Sequence, residues 1–403
     1  MTHTVKNRKK LQCLDCGNNQ TNHLLSWITN TFSIITQPLD KILVSNFLGK
    51  QVYGVLSWCI KPYLFILKAL HLIKWNTDQE KALTARSRVI WEEAPLQHIH
   101  MEQLVILGKP VEFYRATLPT KKEIFFESIP PTTNQFITSY AWMDDKYILK
   151  KKLRKNNIPT PQGYSVFTWE QAKKVWSRIE HPVIVKPRLG SRGRHTTTYI
   201  YTQADLKKAY IAAKKLCFFV MIEEHLIGSV YRGTCINGKL VGVLEGMPPR
   251  ISGNRKDTIE LLISKKNENS TSSVIKPIAI TPILVEFLSR NGYSLDTILE
   301  HQKTIDLSEK IGISYGGGSR ELYPQTHPQI KEYIEKAAGI VHAGVIGFDF
   351  IIPDPSATPD GQKWGIIECN SLPFINLHHD PVEGIPIPVA KYIWEAVLDQ
   401  TKK

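Results

Sequence analysis

Three oxygen-bearing side chains near the C-terminal end have the types and spacing of a hard-cation site. Asp349 sits in the apolar run FDFII, Glu368 closes WGIIE, and Asn370 follows two positions later. Residues 347–352 and 364–367 read as two strands around the turn-rich residues 353–361. Strand side chains alternate, so Glu368 and Asn370 share a face, and a hairpin would bring Asp349 to them. Two carboxylates and an amide oxygen on one side of a sheet suit Mg²⁺, which completes its shell with phosphate oxygens.

Phosphate chemistry also needs cations and backbone donors, and the chain supplies both upstream. Asp144 and Asp145 open a helix that continues through residues 147–155 and stops at 156–159, which puts Lys146 in its first turn. Residues 182–187 form an apolar strand ending in Lys186 and Pro187. A Gly- and Arg-rich stretch, residues 188–195, leads from it into a second strand, 196–201. Glycine lets backbone approach a phosphate, and N–H groups and arginines donate to it. The stretch is not a P-loop: the GxxxxGK[ST] pattern is absent, and a strand follows instead of a helix.

The remaining elements must position these groups. Residues 103–107, 123–126 and 218–222 read as strands, the last leading into Glu223, Glu224, His225 and Leu226. Residues 232–237 and 239–244 read as a hairpin about Asn237-Gly238. Residues 250–258 read as a polar loop, 280–291 as a helix, 265–273 as a mobile loop and 315–320 as a second glycine-rich turn. A helix over 329–342 leads into the C-terminal hairpin.

The 403 residues are enough for two or three folding units. With 51 Lys+Arg against 37 Asp+Glu, the formal charge is +14, which favours anionic partners without choosing among them. No nucleic-acid recognition motif accompanies the charge, so no specific nucleic-acid partner is expected. Six cysteines are too few for a disulfide framework; Cys13 and Cys16 form a lone CxxC with His23 nearby and read as free thiols. The N-terminal residues lack the apolar core of a signal peptide, which points to the cytoplasm. Residues 24–39 and 51–75 are apolar and aromatic, but neither holds eighteen uninterrupted apolar residues. They read as packed amphipathic helices, with contact to a membrane surface as the sharper alternative for residues 24–75.

In order, the segments DDKYILKKKLRKNNIPTP, VIVKPRLGSRGRHTT, VMIEEHLIGSVYR, ISGNRKDTIELL, ILVEFLSRNGYSLDTI, SYGGGSRELYPQTHP and GFDF with IIECNSLP and LHHDPVEG resemble the ATP-grasp superfamily. The resemblance is to the ATP-grasp domains of cyanophycin synthetases and bifunctional glutathione synthetases, over residues 135–395. It implies an α+β fold in which two lobes close on ATP, preceded by a mainly helical segment. The expected units are 1–95, a connecting region 96–134, and an ATP-grasp domain 135–400.

The resemblance further implies an ATP-dependent carboxylate–amine ligase that forms an acyl phosphate from an amino acid or small peptide. Lys146 and Lys186 match the phosphate-binding lysines. Gly190, Ser191 and Gly193 match the closing loop, and Glu223, Glu224, His225 and Leu226 match the hinge that reads adenine. Asp349, Glu368 and Asn370 match the Mg²⁺ ligands, with Mn²⁺ as the alternative ion. Arg192, Lys310, Arg320 and His378 are the catalytic candidates, and Glu383 lies in the same segment as His378. Self-association is left open. Val230 replaces the family's ribose-binding acid, Gly246 an arginine, Ser308 and Glu309 a pair of arginines, and Phe374 a glycine. These departures imply altered substrate choice; the competing reading is a weakened ATP-binding regulator.

Overall fold

The computed structural model describes residues 13–16, 20–45, 67, 69–132, 142–191, 193–269, 275–309 and 311–401. Helix α1 (His23–Ser45) lies along one lobe. Its Thr31 hydroxyl accepts from the Phe218 N–H at 3.0 Å, and its Asn30 amide donates to the Leu216 carbonyl at 2.9 Å. Its other side exposes Leu24, Leu25, Ile28, Phe32 and Ile35. Among the described residues, no helix is long and apolar enough to cross a membrane. Most of residues 51–75 lies outside the described residues.

Next come β1 (Ile73–Asn76), α2 (Ala85–Glu93), β2 (His100–Ile106), β3 (Lys109–Thr117) and β4 (Glu123–Phe126). They build an antiparallel sheet in the order β1-β2-β3-β4. Because β1 pairs with β2, this sheet runs across the boundary expected at residue 95. Strand β3 was not anticipated, since its apolar positions alternate weakly. Met101, Tyr114 and Phe126 pack against the C-terminal helix, whose Trp394 indole donates to the Ile90 carbonyl at 2.8 Å.

The middle lobe contains α3 (Lys146–Lys155), β5 (Gly163–Val166), α4 (Trp169–Trp176), β6 (Val183–Pro187), β7 (Thr197–Ile200), α5 (Gln203–Lys214) and β8 (Val220–Glu224). The sheet order is β5-β8-β6-β7, all antiparallel. Its helices begin where the sequence supplies caps: Asp145, Thr168 and Thr202 each accept from N–H groups of their own first turn.

The third lobe comprises β9 (Ser229–Ile236), β10 (Lys239–Gly246), β11 (Arg250–Ser252), α6 (Ile259–Glu268), α7 (Pro282–Arg290), β12 (Thr304–Asp306), β13 (Ser319–Glu321), α8 (Pro328–Val341), β14 (Val345–Ile352), β15 (Gly365–Asn370), α9 (Asn376–His379) and α10 (Val389–Thr401). Five strands form one antiparallel sheet, β13-β10-β9-β14-β15. Its inner strands are buried on both faces. Phe348, Phe350 and Ile366 join Leu149 and Leu153 of α3 and Ile330 and Ile334 of α8. On the other side, Ile236 and Val345 share a core with the first sheet and α10. Two expected loops are partly regular. Residues 250–252 pair with β12, and residues 265–268 are helical because Thr258 caps α6 while Ile259 and Ile263 bury one face. Residues 270–273 of that expected loop lie outside the described residues.

Candidate active site

Strands β14 and β15 form the expected hairpin and set Asp349 directly opposite Glu368 and Gly347 opposite Asn370. The Asn370 amide donates to Asp349 Oδ2 at 3.3 Å, which leaves its carbonyl oxygen available. Asp349 is buried and grips Arg232 of β9 through two bonds, Nε–Oδ1 at 2.6 Å and Nη2–Oδ2 at 2.8 Å. Glu368 keeps 27% of its side chain exposed and pairs with Lys146 Nζ at 3.2 Å.

Burial sets the two carboxyls different problems. It pushes Asp349 up, only partly opposed by Arg232. Burial would also raise Glu368, but Lys146 and then Lys186 outweigh it and hold the group down to about 2. Lys146 answers in kind: burial disfavours its charge, yet Glu368 lifts its pKa above the ordinary value. Two adjacent carboxyls whose affinities for protons are pushed apart make a site prepared for a cation. Its donors are hard oxygens: Asp349 Oδ1 accepts one bond and Glu368 Oε2 faces one ammonium, so each keeps a further lone pair, while Asp349 Oδ2 already accepts two. The residue set therefore fits Mg²⁺.

Across from this hairpin, Lys186 on β6 reaches Glu223 Oε2 at 2.9 Å. Lys150 of α3 also bonds Glu223, and both side chains are sealed from solvent. One buried carboxylate thus serves two ammonium groups. Burial drives Lys150 down to about 7, helped by the charge of Lys186 and opposed by Glu223. For Glu223, burial works toward the neutral acid, but Lys150 and Lys186 hold its pKa below the ordinary range. Glu223 is the first of the expected hinge residues, and its carboxylate fixes Lys186. Glu224 accepts from the Gln162 N–H at 2.8 Å and pairs with Lys363 at 3.1 Å. The His225 ring stacks 4.1 Å from Tyr199, and Leu226 is buried.

The glycine-rich stretch forms a tight turn. Gly190 and Gly193 both adopt positive φ, 68° and 76°, which a side chain would strain. Arg194 closes the turn by donating to the Gly190 carbonyl at 2.9 Å and the Ser191 carbonyl at 3.1 Å. Ser191 is buried. Arg192 and Lys310 lie outside the described residues. Arg320 of β13 pairs with Glu245, its cross-strand neighbour, at 2.7 Å and reaches Glu383 at 3.6 Å. Beside Glu383, a cavity of 480 Å³ opens between β11, α6 and Val382.

His378 departs from the catalytic role expected of it. Its ring is fully buried, with Nδ1 2.6 Å from Glu321 Oε2 and Nε2 2.7 Å from Thr234 Oγ1. Glu321 in turn accepts from the Val243 and Tyr323 N–H groups. With both nitrogens engaged and no exposed surface, His378 ties α9 to the sheet and cannot reach a substrate. Its neighbour His379 accepts from the Ala390 N–H at 3.0 Å, and burial pushes its pKa down to about 4.

No protein-family model matches the chain. It is 30% identical over 285 residues to the glutathione biosynthesis bifunctional protein of Clostridium perfringens, covering 69% of this chain and 35% of that protein. It is 30% identical over 257 residues to the cyanophycin synthetase of Geminocystis herdmanii, covering 61% of this chain and 29% of that one. The bifunctional glutathione synthetase from Pasteurella multocida shares the fold, with a TM-score of 0.57 at 24% identity over 78% of this chain and 43% of that one. The chain belongs to the ATP-grasp superfamily. It spans about a third of the length of the curated relatives it matches.

Within this ATP-grasp chain, sequence reasoning missed Arg232 and Lys150. Both left a signal. Arg232 is a cation inside the strand SVYRGTCI, and Lys150 stands four positions after Lys146, on the same helix face.

Proposed function

We propose that this chain is an ATP-dependent carboxylate–amine ligase acting on an amino acid or small peptide. The observation that carries the reading is the convergence of Asp349, Glu368 and Asn370 beside Lys146, with Lys186 close enough to depress Glu368. A substrate carboxylate that attacks the γ-phosphorus of ATP brings anion to anion, and such an array lowers that cost. Mg²⁺, or Mn²⁺ in its place, would be held by Asp349, Glu368 and Asn370 and would supply neutralising charge to the phosphates.

The chain's own side chains supply the rest. Lys146 and Lys186 bind phosphate oxygens. Glu223, braced by Lys150, aims Lys186, and Arg232 fixes Asp349. The turn at residues 190–193 shields the phosphates from water. As the substrate oxygen bonds to phosphorus, the bond to ADP breaks and an acyl phosphate forms. The amine nitrogen then bonds to the acyl carbon, loses its proton, and expels phosphate. Arg320, Glu383 and the adjoining cavity are the proposed place for an amino-acid substrate.

A screen of ADP release across amino acids and small peptides tests this reading. Release is expected only when a carboxylate and an amine substrate are both supplied. Val230, at the position of the ribose-binding acid, favours a second reading, a weakened ATP-binding regulator. ATP binding with no release under any substrate pair would select it.

A further inference from the structure

The N-terminal CxxC does not stand alone in space. Cys13, Cys16, His23 and His195 bring one ligand atom each to within 4.8 Å of one another. Cys16 Sγ lies 3.2 Å from His23 Nε2 and 3.4 Å from His195 Nε2. Cys13 Sγ lies 3.6 Å from His195 Nε2, and the two Nε2 atoms are 3.3 Å apart. A tetrahedral zinc with Zn–S about 2.3 Å and Zn–N about 2.0–2.1 Å sets S···N near about 3.5 Å and N···N near about 3.4 Å. Four of the six pairs, those among Cys16, His23 and His195 and that of Cys13 with His195, stand close to those separations, and all four ligand atoms lie within 4.8 Å.

We propose that Cys13, Cys16, His23 and His195 form a structural Zn²⁺ site that ties the N-terminal segment to the end of the glycine-rich turn. The chemistry of the donors supports zinc. Two sulfurs and two imidazole nitrogens are the Cys₂His₂ set of closed tetrahedral sites. His195 Nδ1 lies 2.8 Å from the Ala212 carbonyl, so Nδ1–H donates there and Nε2 presents a lone pair to the cluster. His195 and Cys16 are buried and Cys13 and His23 partly so, which leaves the His195 lone pair facing weak thiol donors and a second imidazole with little access to water. A cation satisfies them together.

The backbone is arranged for the same purpose. Residues Leu14–Cys16 form a 3₁₀ turn, with the Cys16 N–H donating to the Cys13 carbonyl at 3.2 Å. Gln20 clasps Cys13 on both sides: its Oε1 accepts from the Cys13 N–H at 3.0 Å, and its Nε2 donates to the Cys13 carbonyl at 2.9 Å. The His195 N–H donates to the Asp15 carbonyl at 2.9 Å. The lone CxxC and His23 gave no sign of such a site in the sequence, because the fourth proposed ligand lies 179 residues from Cys16. The site fixes one end of the turn at residues 190–195, while Asn30 of α1 packs against Gly190 at the other.

The test is metal content by plasma mass spectrometry on the full chain purified without chelator or histidine tag. One zinc per chain is expected. Replacing zinc with Co²⁺ should give the visible bands of tetrahedral cobalt with thiolate charge transfer. Cys16→Ser should weaken zinc binding beyond the about 10- to 100-fold that loss of an outer-shell partner costs. If that variant does not fold, the wild-type chain treated with 1,10-phenanthroline gives the second reading. Hydrogen exchange should then rise at residues 13–23 and 193–197 and return on adding zinc. Folded protein that holds substoichiometric zinc after reconstitution, or a Cys16→Ser variant with wild-type zinc content, would overturn the proposal, as would unchanged exchange on chelation.

Discussion

Two clusters of carboxylates and cations lie close enough for Lys186 of one to act on Glu368 of the other, and they differ in what surrounds them. Glu223 is sealed between Lys150 and Lys186, with no exposed edge. Glu368 faces Lys146 with about a quarter of its side chain open. A sealed carboxylate cannot exchange partners without leaving a buried charge unpaired, so the first cluster is a fixed support. The partly open one can exchange partners at a lower cost, as the proposed phosphate and metal roles require. Similar ion-pair chemistry thus serves two purposes, and burial decides which.

Four substitutions break or sharpen this contrast, from the largest effect to the smallest. Glu223→Gln leaves two buried lysines facing a neutral amide and should destabilise the fold by about 3–5 kcal/mol in urea denaturation. A loss close to zero would deny it the supporting role. Glu368→Gln, which leaves one lysine rather than two without its carboxylate and at a partly open site, should cost less stability than Glu223→Gln and lower ADP release by about 100- to 1000-fold in a magnesium titration. A wild-type rate with the same magnesium dependence would make the half-open cluster structural.

Lys186→Ala comes third. Glu223 keeps Lys150, so the fold should persist while Mg-ATP affinity falls by about 10- to 100-fold, measured by calorimetry. Unchanged affinity would count against the phosphate role. The smallest effect lies outside the clusters, at His379. Its folded pKa is depressed, so its contribution is complete above the unfolded value near 6.5 and is lost as pH falls toward about 4. After discounting for partial exposure, about 1 kcal/mol should disappear over that window. His379→Gln keeps an acceptor for Ala390 and should flatten the slope; an identical slope would place the titration elsewhere.

Local patterns made much of this legible. The hairpin at Asp349 and Glu368, the capped helix behind Lys146 and the turn between β9 and β10 all follow from neighbours within a few residues. What the sequence hid depends on three-dimensional pairing. Glu223 reads as a hinge acid until β8 is placed beside β6 and α3, which turns it toward two lysines. His378 reads as a reactive loop histidine until Glu321, 57 residues away, is seen to hold it. The pairing of β1 with β2 across residue 95 was likewise hidden, because a strand ladder between distant residues leaves no mark in local composition.

Helix α10 fills the core of the first sheet, and the bond from Trp394 to Ile90 closes a loop of 304 residues. That closure orders events during synthesis. The strands between residues 73 and 126 are made first, yet their apolar face stays uncovered until residues 389–401 have been added. The sheet β5-β8-β6-β7 and helices α4 and α5, whose shared core among the described residues lies within 164–222, can condense meanwhile. The early sheet is therefore the part of the nascent chain that waits longest for its partner and most needs protection from other chains.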